Sequence, residues 1–314
     1  MTDSKQLRKR LEALNRGPLR RTPKKATEAD TIRKDIRRRT KPSSPVQPIV
    51  YRRDLPEPGI RPPRQRALPG KPVPLEEAVS GVVAESPHGA KAYVITSSVL
   101  SAGGELSPLN AAFRDALTDT KSALPAWIAD SCGAESIAPH DVVLFDLETT
   151  GLSCTPIFLV GAMSWEGDGL VARQFLARDY SEERAILSLF LDWAATKKLL
   201  VSFNGKSFDL PLVRVRAAAN GIPFSLDLPH FDLLHAARRA WQGTLPNHRL
   251  QTLETQICGR ARQGDIPSWE IPEAYHAYVR TANAAEIVEI LRHNLLDLVT
   301  LADLMVRLPH PESS

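Results

Sequence analysis

Residues 142–151 read VVLFDLETTG. Val142–Leu147 is an apolar run rich in β-formers, the pattern of a strand buried on both faces. Thr149–Thr150–Gly151 turns the chain. Asp146 and Glu148 are two residues apart, so the strand's period of two puts both carboxylates on one face. Two like charges side by side in an apolar context repel each other and resist loss of water, so folding gains nothing from them unaided. A divalent cation between them removes that penalty. The plainer alternative is a solvated pair at a strand end, and a D-x-E alone does not decide between the two.

Working outward, IFLVGAM (157–163) predicts a second strand and Leu170–Leu176 a third, joined by the turn Glu166–Gly167–Asp168–Gly169. Ser181 is expected to open a helix that carries Ile186, Leu187, Phe190 and Leu191 on one face. LLVSF (199–203) is a fourth strand, and 208–220 a helix ended by Gly221 and Pro223. A short apolar piece at His230–Leu233 leads into a helix at 233–241, and further helices are expected at about 248–258 and 284–307. Upstream, AVSGVVAES and AKAYVITSSV flank Pro87–His88–Gly89 and predict a hairpin over an edge of the main sheet. Residues 108–130 read as helical and 131–140 as a loop. Meandering strands followed by αβ units give the α/β class, a mixed sheet with helices on both faces. The first and fourth strands are expected to be neighbours, with their ends at one edge.

Charge divides the chain. Residues 1–75 hold 21 Lys and Arg against 7 Asp and Glu, a balance of +14. The other 239 residues hold 19 basic and 29 acidic side chains, a balance of −10. The first segment also carries 12 of the 25 prolines and one aromatic, Tyr51. It buries too little apolar surface to offset its ordering entropy, so 1–75 is expected to be a disordered basic tail. An N-terminal hairpin and helix extension (76–140) and a main domain (141–308) follow. Within the tail, Leu7, Leu11 and Leu14, and Ile32 with Ile36, fall at helical spacing. The tail reads equally as a nucleic-acid tether acting through phosphate charge and as a solvated segment without a partner.

No run of about 18 apolar residues exists, which excludes a spanning helix, and the apolar core of a secretory signal is missing. Cys132, Cys154 and Cys258 lack metal-site spacing and cannot form a closed disulfide framework. They read as buried thiols in a reducing compartment. Acidic residues within the Arg-rich tail argue against a transit peptide. A cytoplasmic location is the expectation.

Further candidates lie at the ends of the predicted elements. Asp209 follows the fourth strand in FNGKSFDLPLV, with Asn204, Lys206 and Phe208 beside it. The alternative role for Asp209 is a first-turn carboxylate favoured by the helix dipole. Asp297 lies in RHNLLDLVTL, one helical turn after His293 and among leucines. The alternative there is an exposed His–Asp pair. Asp232 reads as a helix N-cap. Lys206 and Arg249 are candidate phosphate contacts, and Trp269 is either a stacking surface or packing for its own loop. His235, His248 and His276 show no metal spacing.

Taken together, D-x-E on the first strand, N-x-x-x-F-D after the fourth and H-x-x-x-D in a late helix resemble the DEDD superfamily of 3′→5′ exonucleases, which have a ribonuclease H-like fold. Asp146 and Glu148 match the first motif, Asp209 the second, with Asn204 and Phe208 fitting its pattern, and Asp297 the third. FDLETTGL, FNGKSFDLPLV, GDIPSWEIP and HNLLDLVTLADL look like the YprB-like branch of ribonuclease H-like proteins. The resemblance covers about residues 75–307. One departure stands out: in the family the histidine lies five residues before the last aspartate and a tyrosine four before, whereas His293 sits at the tyrosine spacing.

The resemblance implies two divalent ions, Mg²⁺ or Mn²⁺. Asp146 would bridge them, Glu148 and Asp297 would hold the ion carrying the attacking water, and Asp209 would serve the second. His293 would be the catalytic group that orients or deprotonates the water. Asn204, Lys206 and Phe208 are the substrate-contact candidates. The expected substrate is nucleic acid with a single-stranded 3′ end, and a helicase or polymerase is a possible partner. A catalytically silent nucleic-acid-binding module, or a helicase-associated one, remains the alternative.

Overall fold

The computed structural model describes residues 72–98, 107–151, 155–224 and 226–309, all of them within the unit Pro48–Ser314. The expected disordered tail up to residue 71 and Cys154 lie outside the described residues. Leu75, at the expected boundary, opens α1 (Leu75–Ala78) and is buried.

The strands are β1 (Val82–Glu85), β2 (Lys91–Ser98), β3 (Val142–Thr149), β4 (Ile157–Glu166), β5 (Gly169–Leu176), β6 (Leu199–Ser202) and β7 (His230–Asp232). They form one sheet in the order β1-β2-β5-β4-β3-β6-β7. The ladders from β1 to β3 are antiparallel, while β3–β6 and β6–β7 are parallel. The sheet is therefore mixed, and β3 and β6 are neighbours as their sequences predict. The early hairpin extends the sheet by pairing β2 with β5.

Alternation along β3 sorts its side chains between two cores. Val143 and Phe145 join Ile186, Phe190 and Val213, from α4 (Glu183–Ala194) and α5 (Asp209–Ala219). Val142 and Leu144 join the opposite core with Phe113, Trp127, Ala237 and Leu301. Those residues belong to α2 (Ser107–Thr118), α3 (Leu124–Cys132), α6 (Leu233–Ala240) and α9 (Ala285–Val306). Full burial of each such side chain stabilises by roughly 1.5–3 kcal/mol, so a one-residue slip of β3 would exchange two cores at once. By the same parity Asp146 and Glu148 continue the Val142–Leu144 face.

Several local expectations are corrected. The stretch 108–130 is two helices, divided at 119–123. The helix expected at about 248–258 is α7 (Leu250–Gln256), and α8 (Ile271–Thr281) precedes α9 where the sequence predicts no helix. Pro272 sits in the first turn of α8, where its missing N–H costs nothing. Ser181 does not open a helix by capping. The Asp179 carboxylate accepts the Ser181 N–H at 2.8 Å and starts a 3₁₀ turn that runs into α4. No helix among the described residues is long and apolar enough to cross a membrane.

Candidate metal centre

The ends of β3 and β6 meet because the two strands are parallel neighbours. Asp146 and Glu148 stand at the end of β3, just before a shift in its register against β4 at Glu148–Thr149. Such an irregularity bends a strand and re-aims its side chains. Asp209 is the first residue of α5, after the loop that leaves β6. Asp297 and His293 come from α9, which packs across β3.

Glu148, His293 and Asp297 each offer a ligand atom, and the three atoms lie within 4.8 Å of one another. Asp146 faces the charges of Asp297, Glu148 and Asp209. Asp297 and Asp209 therefore both act electrostatically on Asp146 and on Glu148. Burial, with those neighbouring negative charges, pushes the Asp146 carboxyl well above the usual carboxylate range, and the Asn294 amide partly offsets this. Glu148 is raised to about 8, mainly by burial, with His293 opposing and Asp297, Asp209 and Asp265 adding to the rise. Asp209 is raised to about 7 by burial, eased by its own backbone N–H and increased by Asp232.

His293 is 4% exposed, so the exposed-pair alternative does not describe it. Its Nδ1 lies 2.8 Å from Asp265 Oδ2, and its Nε2 lies 3.5 Å from Asp297 Oδ2. Burial alone would lower its pKa, but the Asp265 hydrogen bond and the charges of Asp297 and Glu148 raise it above the usual value. Asp265 moves the other way. Burial would raise it, but His293 and Arg262 hold it below the ordinary range.

Arg262 is the buried cation of this cluster. Its Nε donates to Glu254 Oε2 at 2.6 Å, Nη1 to Asp265 Oδ2 at 3.1 Å and Nη2 to Asp297 Oδ1. One guanidinium thus fixes Asp297 from α9, Asp265 from the loop before α8 and Glu254 from α7. Its planar fork makes that three-way contact possible.

Asp146 is held differently. Asn294 Nδ2 donates to Asp146 Oδ2 at 2.9 Å, and Gln174 Nε2 donates to Asn294 Oδ1 at 2.9 Å. Asp146, Gly161 and Gln174 lie in one cross-strand row over β3, β4 and β5. A Cβ on Gly161 would stand 1.9 Å from Asn294 Oδ1, so only glycine leaves room for this amide.

The substrate-contact candidates fall around the β6–α5 loop. Asn204 adopts φ 65°, with its N–H on Asp232 Oδ1 at 2.8 Å. The Lys206 N–H reaches Asp232 Oδ2 at 3.0 Å, and its side chain is exposed. Asp232 also accepts the Leu234 N–H at 3.0 Å, the N-cap role expected of it. Phe208 is 65% exposed and Trp269 80%, so Trp269 does not pack its own loop.

Asn294, Gln174, Asp265, Arg262, Glu254 and Gly161 were not singled out by the sequence. Gly161 carried a readable signal, a glycine inside an apolar strand, which marks a bulge or a close approach. Arg262 carried none: its link to Asp297 spans 35 residues, and its nearness to Glu254 and Asp265 in sequence sets no recognisable pattern.

A mixed sheet led by an antiparallel meander, with acids gathered where its first parallel pair ends, defines a ribonuclease H-like protein. A family model described as RNase_H superfamily matches residues 143–309, more than half of the chain, and the chain belongs to that superfamily. YprB of Bacillus subtilis (strain 168) is 30% identical over 186 residues, which are 58% of this chain and 45% of YprB. The chain is thus similar to YprB, and the match spans less than half of that relative's length. Among solved structures, the family B DNA polymerase from the hyperthermophilic archaeon Pyrobaculum calidifontis aligns over 52% of this chain and 24% of its own, at 18% identity and a TM-score of 0.44.

Proposed function

We propose that this chain is a metal-dependent 3′→5′ exonuclease that hydrolyses phosphodiester bonds of nucleic acid and releases nucleoside 5′-monophosphates. Superfamily membership supports nuclease-type activity in general. The observation that carries the finer reading is the gathering of Glu148, His293 and Asp297 within 4.8 Å, with Asp146 and Asp209 acting on the same charges.

The donor set fits hard divalent cations. It is built from carboxylate oxygens; burial raises the pKa of Asp146, Glu148 and Asp209, neighbouring acids add to the rise at Asp146 and Glu148, and positive charge relieves both effects. Asp146, Glu148, Asp209 and Asp297 would hold Mg²⁺ or Mn²⁺. Two such ions, when bound, stabilise the charge of the reacting phosphodiester and make water a stronger acid.

The chain's own residues do the remainder. Asn294 fixes the carboxylate plane of Asp146, and Arg262 that of Asp297. Asp265 holds His293 through Nδ1, which turns Nε2 toward the acids. In its neutral form His293 Nε2 accepts the proton of the attacking water, a role suited to a group that titrates near neutrality. A P–O bond to that oxygen forms as the P–O3′ bond breaks, and the leaving 3′-oxygen ends protonated.

The test is incubation with 3′- and 5′-labelled DNA and RNA strands, in Mg²⁺, Mn²⁺ or chelator. Stepwise loss of the 3′ label as mononucleotide, abolished by chelator, is expected. Full hydrolysis in excess chelator would overturn the metal-dependent reading. Intact strands under every condition, with tight binding, would leave the silent binding module.

A further inference from the structure

Beside the acids lies a second feature that the reaction chemistry does not use. A cavity of about 360 Å³ is lined by Phe203, Asn204, Leu234, Arg238, Asn247, His248 and Arg249. That volume lies in the range of small-ligand pockets. Its lining holds two arginines and no acid. Arg238 and Arg249 are both exposed, and neither takes part in an ion pair among the described residues. His248 Nε2 is buried without a hydrogen-bond partner. Asn247 Oδ1 is already committed to the Arg249 N–H at 3.0 Å and to the Thr252 hydroxyl at 2.7 Å, so its remaining capacity is the donating amide nitrogen.

The polar side of this lining is therefore rich in donors and positively charged. Opposite chemistry comes from Phe203 and Leu234, with Leu234 one helical turn before Arg238 on α6. A ligand that satisfies both carries several acceptor oxygens on one side and a flat or apolar body on the other. Guanidinium forks suit phosphate oxygens, and an aromatic ring suits a base or sugar face.

The β6–α5 loop links the cavity to the candidate metal centre. Asn204 lines it, and the next residue, Gly205, lies so close to Asp209 that an added Cβ would stand 3.1 Å from Asp209 Oδ2. A strand whose end reaches the acids would pass this loop.

We propose that the Phe203–Arg238–Arg249 cavity is a nucleotide subsite, in which Arg238 and Arg249 hold a backbone phosphate of the strand and Phe203 with Leu234 supports its base or sugar. This rests on the nuclease reading for the identity of the strand.

The test uses the full chain and a fluorescent tetrathymidylate in excess EDTA, so that binding is read without hydrolysis. The double variant Arg238→Gln/Arg249→Gln should bind at least ~10-fold more weakly. The slope of log affinity against log salt should fall by about 0.7, the value for one neutralised single-strand phosphate. An unchanged melting temperature shows that the variant is folded. A second measurement needs no variant: on the wild-type chain, tetrathymidylate should protect Arg238 and Arg249 from phenylglyoxal, read by peptide mass. If the wild type binds and cleaves while the folded double variant binds equally well, the subsite is overturned and the nuclease reading stands. Loss of binding in the variant without protection of the two arginines in the wild type also overturns it. A wild type that neither binds nor cleaves removes both.

Discussion

Asn294 reaches Asp146 only because residue 161 is glycine. The amide donates to Asp146 Oδ2 at 2.9 Å while its oxygen occupies the space a Cβ on residue 161 would need. Gly161→Ala is therefore expected to push Asn294 off Asp146. Overpacking of this kind costs about 1–3 kcal/mol, measured by urea denaturation. In an Asn294→Ala background the same change should cost much less, because the clash is gone. Additive costs in that cycle would show that the two residues are not coupled. Calorimetric Mn²⁺ affinity should fall in both single variants.

Most of this architecture is legible in the sequence. VVLFDL had to be a buried strand, and its period of two placed Asp146 with Glu148. The adjacency of β3 and β6 followed from the αβ order and put Asp209 at the same edge; that the pair is parallel is seen in the sheet. The supporting groups were not legible in the same way. Asp265 lies 28 residues from His293 and Arg262 lies 35 from Asp297, so no local periodicity links them. Helix α8 was hidden because GDIPSWEIP reads as a loop and its first-turn proline looks like a break, although that is a position where proline is tolerated.

Protonation links the acids to stability. Glu148 is held at about 8 and Asp209 at about 7, against ordinary values of 4.5 and 3.8. Between those limits the folded chain binds more protons than the unfolded one, so stability falls as pH rises. His293, also raised, contributes in the same direction above its ordinary value of 6.5. In chelator the melting temperature should therefore drop from about pH 5 to about pH 8. Mg²⁺ or Mn²⁺ should flatten or reverse that slope. A chelated protein equally stable across this window would contradict the crowding of charge at the centre.

Asp146→Ala is expected to reduce hydrolysis by at least ~10³-fold, because it removes the carboxylate expected to contact both ions. The same substitution should raise the melting temperature in chelator, since it removes one of the repelling charges. Single-turnover rates and thermal melts on one preparation test both halves. An active Asp146→Ala protein would exclude Asp146 from the chemistry.

Arg262 holds three acids that would otherwise face one another in a buried space. Arg262→Gln leaves Glu254, Asp265 and Asp297 without their shared cation. Breaking a buried ion pair from one side costs about 3–5 kcal/mol, so this should be among the most destabilising single changes in the domain. Arg262→Lys should recover only part of the loss, because an ammonium cannot reproduce the three-way fork. Chemical denaturation of the two variants measures the difference. Equal stability for glutamine and lysine would show that the fork geometry is unimportant.

His293 and Asp265 provide the sharpest division between chemistry and scaffolding. If His293 accepts a proton, His293→Ala should slow turnover by ~10²–10⁴-fold and leave Mn²⁺ affinity little changed, since the four carboxylates remain. His293→Tyr should keep some activity, because a phenol at this helical position still orients water by hydrogen bonding. Asp265→Asn removes a negative charge that raises the His293 pKa, so the acidic limb of the pH–rate profile should move to lower pH. Asp265→Ala also removes the acceptor that fixes the ring, and it should slow turnover while leaving Mn²⁺ affinity little changed. A purely structural His293 predicts the opposite pattern, with lower melting temperatures for His293→Ala and Asp265→Ala, near-normal single-turnover rates and an unmoved profile for Asp265→Asn. Folded, metal-binding and fully active His293→Ala protein would remove the histidine from the reaction and leave the acids to carry it.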